Sequence, residues 1–468
     1  MIKADPNDKT LITELLAESF EKNLSVNYII RQDEKKAHRL RVLMEYSIKM
    51  CSHASADPDI LRTLSIAYYN WANNTVQKAN IESQKKRDSM IRNAIQRYEL
   101  AIQTDPSFDR PYLNKGTAML RQAQDKNMLT DSIRKEILGL FEKAISLNAT
   151  SYETWSNSAR LILELGNELL DSEQRGKHFE ESIRRYNRAL DLYPHDVNVY
   201  RNLAWLYKRL AEHSKEKSSY FEQSISYYEK AITLDPSVES NLALATALGE
   251  YAELRVEKGG DLLRRAISLL IETEASFGTS SDINYRLGNK YLILAKLEKD
   301  NLMFITARTH LQMALELDSS NVRAMNNLGH CELTIAVNEE NPEIAHSVIQ
   351  TAKSRLEKVL QLDPNHKAAW SNLGYVDMEL AKRSSDGDRI ALLESAITNL
   401  KKANEFDPDS VIYDLARAYA LLGNQKVSIK YLHDWLTKGN NWSAASFTED
   451  FENVKDVPDF KFLTEQLL

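Results

Sequence analysis

The chain has 468 residues, with 14 Gly and 10 Pro, less than half the average usage of about 7% and 5%. So few backbone breakers exclude an all-β fold and weigh against a large α/β enzyme, both of which need a Gly- or Pro-bearing turn every few residues. With 27% charged and 43% hydrophobic residues and a formal net charge of −7, the chain reads as folded and soluble, with no nucleic-acid partner, since phosphate-backbone binders are strongly basic.

Residues 1–57 predict two amphipathic helices, near 7–22 and 32–50, that cap the rest of the chain. The start, Met1-Ile-Lys-Ala-Asp-Pro, has no apolar leader. No apolar run approaches the roughly 18 residues of a membrane helix. Cys51 and Cys331 cannot build a disulfide framework. The expectation is a cytoplasmic protein without a membrane segment.

From 58 to 437 one phrase recurs, a helical run ending in Ala-Ile-x-Leu-Asp-Pro. It stands at 101–106, 144–149, 189–194, 231–236, 314–319, 359–364 and 403–408, with a degenerate copy at 266–271. The steps between its fifth positions are 43, 45, 42, 35, 48, 45 and 44. Ten residues after each Pro, or its substitute, comes a small residue: Gly116, Ala159, Ala204, Thr246, Gly329 and Gly374. Gly288 and Ala416 hold that place with altered spacing. The spacing predicts helix pairs. A small residue on the first helix (A) lets the second (B) approach. Tyr98, Phe141, Tyr186, Tyr228, Leu311, Leu356 or Leu400 fills the gap. Asp-Pro then ends helix B, because proline cannot continue it and restricts the residue before it. The last repeat is short, and residues 438–468, with Trp442, Phe447, Phe451, Phe460 and Phe462, read as a cap.

Trp370-Ser-Asn-Leu-Gly374, Met325-Asn-Asn-Leu-Gly329, Tyr200-Arg-Asn-Leu-Ala204 and Trp155-Ser-Asn-Ser-Ala159 resemble the tetratricopeptide repeat, W-x2-L-G-x2-Y, then A-x3-F, then P. The resemblance implies an all-α, right-handed superhelical solenoid of eight to nine antiparallel helix pairs. The period departs from the family's 34 residues, and the extra length is expected between the small residue and the B-helix Ala, as lengthened helices meeting in a polar turn. Glu332 and Asp377 stand where the family prefers Tyr. Residues 1–51, with Leu15-Leu-Ala-Glu-Ser-Phe20 and Ser25-Val-Asn-Tyr-Ile-Ile30, resemble the N-terminal helices of GNAT-superfamily acetyltransferases. No Gly-rich pyrophosphate loop comes after them.

No Walker loop, G-x-S-x-G, H-E-x-x-H or C-x-x-C is present, so no catalytic residue, metal or cofactor is assigned. The family resemblance implies that helix A lines a concave groove, with the residues two before and one after the small position pointing into it. The first set is Asn114, Asn157, Asn202, Leu244, Arg286, Asn327, Asn372 and Asp414. The second is Thr117, Arg160, Trp205, Ala247, Asn289, His330, Tyr375 and Arg417, joined by Arg201 and Arg323. Side-chain amides can bind both the N–H and C=O of an extended peptide. Of these, Asn114, Asn157, Arg160, Asn202, Trp205, Asn327, His330, Asn372 and Tyr375 are the expected contacts to a protein or peptide partner. The chaperone-binding members' carboxylate clamp needs Lys three before a small residue, and no repeat has it. The expected function is a non-catalytic scaffold or adaptor. The alternatives are a regulatory subunit or remnant of an acetyltransferase, and a self-assembling structural solenoid.

Overall fold

A computed structural model describes residues 58–438 and 449–465, apart from Leu170, Lys215 and Arg255. The expected N-terminal helices, the acetyltransferase-like segment, Cys51, Trp442 and Phe447 lie outside the described residues. The chain divides into two compact units at Asp235/Pro236. In the first, the pairs are α1 (Pro58–Ala79) with α2 (Gln84–Thr104), α3 (Asp109–Asp125) with α4 (Asp131–Leu147), α5 (Tyr152–Asn167) with α6 (Ser172–Leu192), and α7 (Val197–His213) with α8 (Lys217–Leu234). In the second, they are α9 (Val238–Leu254) with α10 (Val256–Phe277), α11 (Ser281–Glu298) with α12 (Asn301–Leu317), and α13 (Val322–Val337) with α14 (Pro342–Leu362). Two more complete that unit's pairs: α15 (Lys367–Lys382) with α16 (Asp386–Phe406), and α17 (Ile412–Leu421) with α18 (Gln425–Thr437). A 3-10 turn (Glu449–Phe451) and α19 (Pro458–Glu465) close the second unit, and the described residues contain no strand. Each unit is an all-α stack of helix pairs.

The junctions result from local chemistry. The B helices end alike: the N–H of Asp105, Asp235, Asp318, Asp363 or Asp407 donates to the carbonyl of the Ala or Val four residues earlier, at 2.8–3.1 Å. Those Asp residues have φ between −137° and −150°, the extended region that the following proline favours at all but Asp318, which precedes Ser319. The A helices start on polar caps, as where the Asp196 carboxylate accepts from the N–H of Asn198 and Val199. Much of the extra length of the repeat lies in the helices: α2, α6, α14 and α16 run 21 residues each.

The small residues do what their spacing predicts. A Cβ on Gly288 would lie 2.6 Å from Leu311 Cγ, and one on Gly374 2.7 Å from Leu400 Cγ. On Gly116 it would collide with the Phe141 ring. At Ala159, Ala204 and Ala416 a B-helix serine locks the pair: the hydroxyls of Ser182, Ser224 and Ser428 donate to these carbonyls at 2.7–2.8 Å.

The fifth pair corrects the sequence reading twice. Buried Leu263, Ala266, Ile267, Leu270 and Thr273 repeat the spacing of buried Phe221, Ser224, Ile225, Tyr228 and Ala231. Thr273 therefore holds the B-helix Ala position, and Ala266-Ile-Ser-Leu is seven residues out of register. Residues seven apart share a helix face, so the phrase matched two turns too early. The helix runs on to Phe277 and ends at Gly278, whose φ of +90° is the left-handed close that glycine permits. The irregular steps of 35 and 48 disappear. The small residue is Ala245 and not Thr246. The turn at 235–237 is one residue shorter than those at 193–196 and 318–321, so helix A starts and reaches its small residue one position early. Leu244 and Ala247 are buried core and leave the groove set.

The two acids at the tyrosine position are buried and paired. Glu332 is 2.9 Å from Arg355 Nε, and burial holds its carboxyl above the usual range against the pull of Arg355. Asp377 is fully buried and accepts from Lys353 Nζ (2.7 Å), Ser395 Oγ (2.7 Å) and Asn399 Nδ2 (2.9 Å). Lys353→Met would strip a buried carboxylate of its cation, and the expected cost is about 3 kcal/mol. Urea melting of the single variant and of Lys353→Met/Asp377→Asn checks this. The double variant should recover part of the loss, because the neutral amide no longer needs the cation.

Candidate functional site

In each unit the A helices of successive pairs touch: α1 with α3 and α3 with α5 in the first, α11 with α13 and α13 with α15 in the second. In α3, α5, α7, α9, α11, α13 and α15 the small residue stands seven positions after the first. The same face of each therefore presents the residues two before and one after it. These two rows meet. Asn114 Nδ2 donates to Asn73 Oδ1 (2.8 Å) and Asn327 Nδ2 to Asn289 Oδ1 (3.0 Å). Arg286 Nη1 donates to Thr246 Oγ1, and the Tyr375 hydroxyl pairs with Asp414. Each bond joins the residue two before one small residue to the residue one after the preceding one. Asn372 reaches back to Asn326 (3.0 Å), whose own amide donates to Asn327 (3.1 Å). The amide ladder is thus also a brace between repeats.

The other expected contacts are placed individually. Asn157 is exposed. Asn202 hydrogen-bonds Tyr186. Arg160 pairs with Glu164 one turn along its own helix. Trp205 is half-buried against Phe179, edge-on at 6.3 Å, with Arg209 above its ring. Tyr375 is half-buried under Arg417. His330 turns inward: neither ring nitrogen has a hydrogen bond, and burial, with the Lys296 charge, pushes its imidazole down to about 3. Arg417 is taken by Asp450, at 2.7 Å.

One recess on this face, in the second unit, was only partly foreseen. It holds about 230 Å³ and is lined by Ala245, Thr246, Glu250, Glu253, Tyr285, Arg286, Asn289, Lys290 and Arg323. Arg286, Asn289 and Arg323 were groove candidates, whereas Lys290 and both glutamates were not. Lys290 is buried, 6% exposed. It stands two after Gly288, where Ala118, Leu161, Leu206, Ala247, Cys331, Val376 and Ala418 are buried and uncharged. Its ammonium and ε-carbon lie over Gly249, in the space a Cβ would fill. Arg286 is held by Asp282 (Nε–Oδ2 3.0 Å) and Thr246. Arg323 is exposed. The signal in the sequence was a lysine at a core position. Among the described residues, no three His, Cys, Asp or Glu side chains gather as a metal would need, and no helix is long and apolar enough to cross a membrane.

Residues 213–238 match the tetratricopeptide-repeat family profile. That stretch holds the whole of α8 and its Asp-Pro stop, the unit that recurs in both halves. The chain thus carries a tetratricopeptide repeat at this place. No curated protein matches it. Similar solved structures include YrrB, a tetratricopeptide-repeat protein with an unusual peptide-binding site, at 23% identity over 48% of this chain and 94% of that one, with a TM-score of 0.29. A second is the C-terminal part of a repeat-containing protein from Cytophaga hutchinsonii, at 13% identity over 63% and 96%, TM-score 0.40. A third is PilF of Pseudomonas aeruginosa, at 17% over 57% and 96%, TM-score 0.35. Superpositions this partial say nothing of what this chain binds.

Proposed function

We propose that the protein is a non-catalytic, cytoplasmic scaffold that holds an extended segment of a partner protein along its A-helix faces. The register of the two rows carries this reading. In α3, α5, α7, α9, α11, α13 and α15 the paired positions share one register, and, the inward His330 aside, an extended chain laid there meets amides, hydroxyls, aromatic rings and guanidinium groups. Stacked repeats supply such long surfaces without a deep pocket. Affinity then comes from many modest contacts on a pre-ordered face.

The test is selection of displayed twelve-residue peptides on the intact protein, and then binding of the selected peptides to the triple variant Asn157→Ala, Asn202→Ala, Asn327→Ala. Selected peptides should bind the variant at least tenfold more weakly while its circular dichroism is unchanged. Equal binding would remove the amide ladder from the reading.

A further inference from the structure

The links between successive A helices run unbroken through the second unit and stop early in the first. From α9 to α17 every step is tied: Arg286 to Thr246, Asn327 to Asn289, Asn372 to Asn326 and Tyr375 to Asp414. In the first unit, among the described residues, α1 and α3 are tied in this way. There Asn73 Oδ1 accepts from both Tyr98 Oη (2.6 Å) and Asn114 Nδ2 (2.8 Å). The next two steps lack the link. Thr117, one after Gly116, turns its hydroxyl back to the Leu113 carbonyl (2.9 Å), and Phe141 stands at the position of Tyr98. Arg160 then stands at the position of Asn73, and arginine carries donors only. It cannot accept from Asn202 as Asn73 accepts from Asn114. Arg160, Glu164 and Asn202 gather round the Tyr186 hydroxyl, and the guanidinium pairs with Glu164. Asn157 is exposed and makes no hydrogen bond among the described residues.

We propose that this open stretch on α5 and α7, with Arg160 at its centre, anchors the bound segment and takes an uncharged, extended run of a partner's main chain. At a linked step a ligand group must break one hydrogen bond to make another, so the net gain is small. On the open stretch the Asn157 amide offers its donors and its acceptor without that loss. The Arg160 guanidinium is held by Glu164 through one nitrogen and keeps further N–H groups for carbonyl oxygens. The Glu164 carboxylate balances its charge, which favours carbonyls over an acidic side chain. A position that elsewhere ties two repeats has given up the tie, and such departures from a local rule gather at functional sites. The inference rests on the proposed groove and places its anchor in the first unit.

The experiment takes twelve-residue peptides selected on the intact protein and titrates them by calorimetry against single variants. Asn157→Ala and Arg160→Asn should each weaken binding at least fivefold. Asn327→Ala, whose amide is already committed to Asn289, should weaken it less than twofold. Arg160→Asn returns the acceptor found at Asn73, so its melting temperature should hold or rise while affinity falls, a combination that a merely structural role does not give. N-methylation of the peptide main chain should weaken binding, and added salt should leave it unchanged. Two results overturn the proposal and leave the groove standing: selected peptides that bind Arg160→Asn as well as the parent, or affinity lost in Asn327→Ala and kept in Asn157→Ala. Binding abolished by salt would assign the stretch an acidic ligand, and a mass that rises with concentration except in Arg160→Asn would assign it a second copy. Either would overturn the proposal too. Failure to select any peptide retires the groove and this anchor with it.

Discussion

Replacing Phe451 by Ala is expected to destabilise the second unit by about 3–5 kcal/mol, the range for emptying a fully enclosed aromatic site. Phe451 is 0% exposed. It packs with Val454 and Phe460 of the tail on Ala416, Ala420 and Leu432 of the last helix pair, with Tyr413 at 5.8 Å and Phe460 at 5.6 Å. In a repeat stack each pair is held by its neighbours, and on this side α17–α18 has the tail in that role. The loss should therefore be local first. Hydrogen exchange of α17 and α18 should speed up before that of α13 and α14, and Phe462→Ala, at a 61% exposed position, should change neither. Uniform exchange across the unit would refute a local seal.

Acid should loosen the same contact. Asp450 is buried and bonded to Lys382 (2.6 Å) and Arg417 (2.7 Å). Its carboxyl lies below the usual range, because the pull of these cations outweighs burial. A lowered folded value means stability that is complete above the unfolded pKa of about 3.9 and is lost as pH falls through the folded one. Exchange in α17 should therefore accelerate below about pH 4, and Asp450→Asn should show that acceleration already at neutral pH.

Gly288→Val carries the other large effect. Its Cβ would meet Leu311 Cγ at 2.6 Å and the Ala307 carbonyl oxygen at 3.0 Å. The side chain can rotate away, but the backbone oxygen cannot. The two helices must part, at a cost of about 3 kcal/mol, the upper range for overpacking. Gly329→Ala is the control. There the nearest atom is Leu356 Cγ at 3.1 Å and the backbone oxygen stands off at 3.5 Å, so alanine should cost under about 1 kcal/mol, with part of the strain offset by its better helix propensity. Urea midpoints of the two variants measure the difference, and equal losses would mean that the helix pair yields without resistance.

The helix pairs were legible because each rests on local chemistry: Asp-Pro stops, a small residue, and a filler of matching size. The fifth pair was misread for an equally physical reason. A seven-residue slip lands on the same helix face, so Ala266-Ile-Ser-Leu passes for the phrase that Thr273 and Gly278 close. Only burial tells the two registers apart. The groove rows were legible as positions but not as bonds. That Asn327 would donate to Asn289, or that His330 would turn inward, depends on how far one A helix sits from the next, which no single repeat encodes. Lys290 falls outside both groove rows because those rows occupy exposed offsets and it stands on a buried one.

The hydrogen bonds that join one A helix to the next have a mechanical meaning. A ligand carbonyl that claims the N–H which Asn327 gives to Asn289 competes with the link between two repeats. Occupancy and stiffness are then set by the same atoms. A bound segment would alter the compliance of the stack, and tension on the stack would alter its hold on the segment.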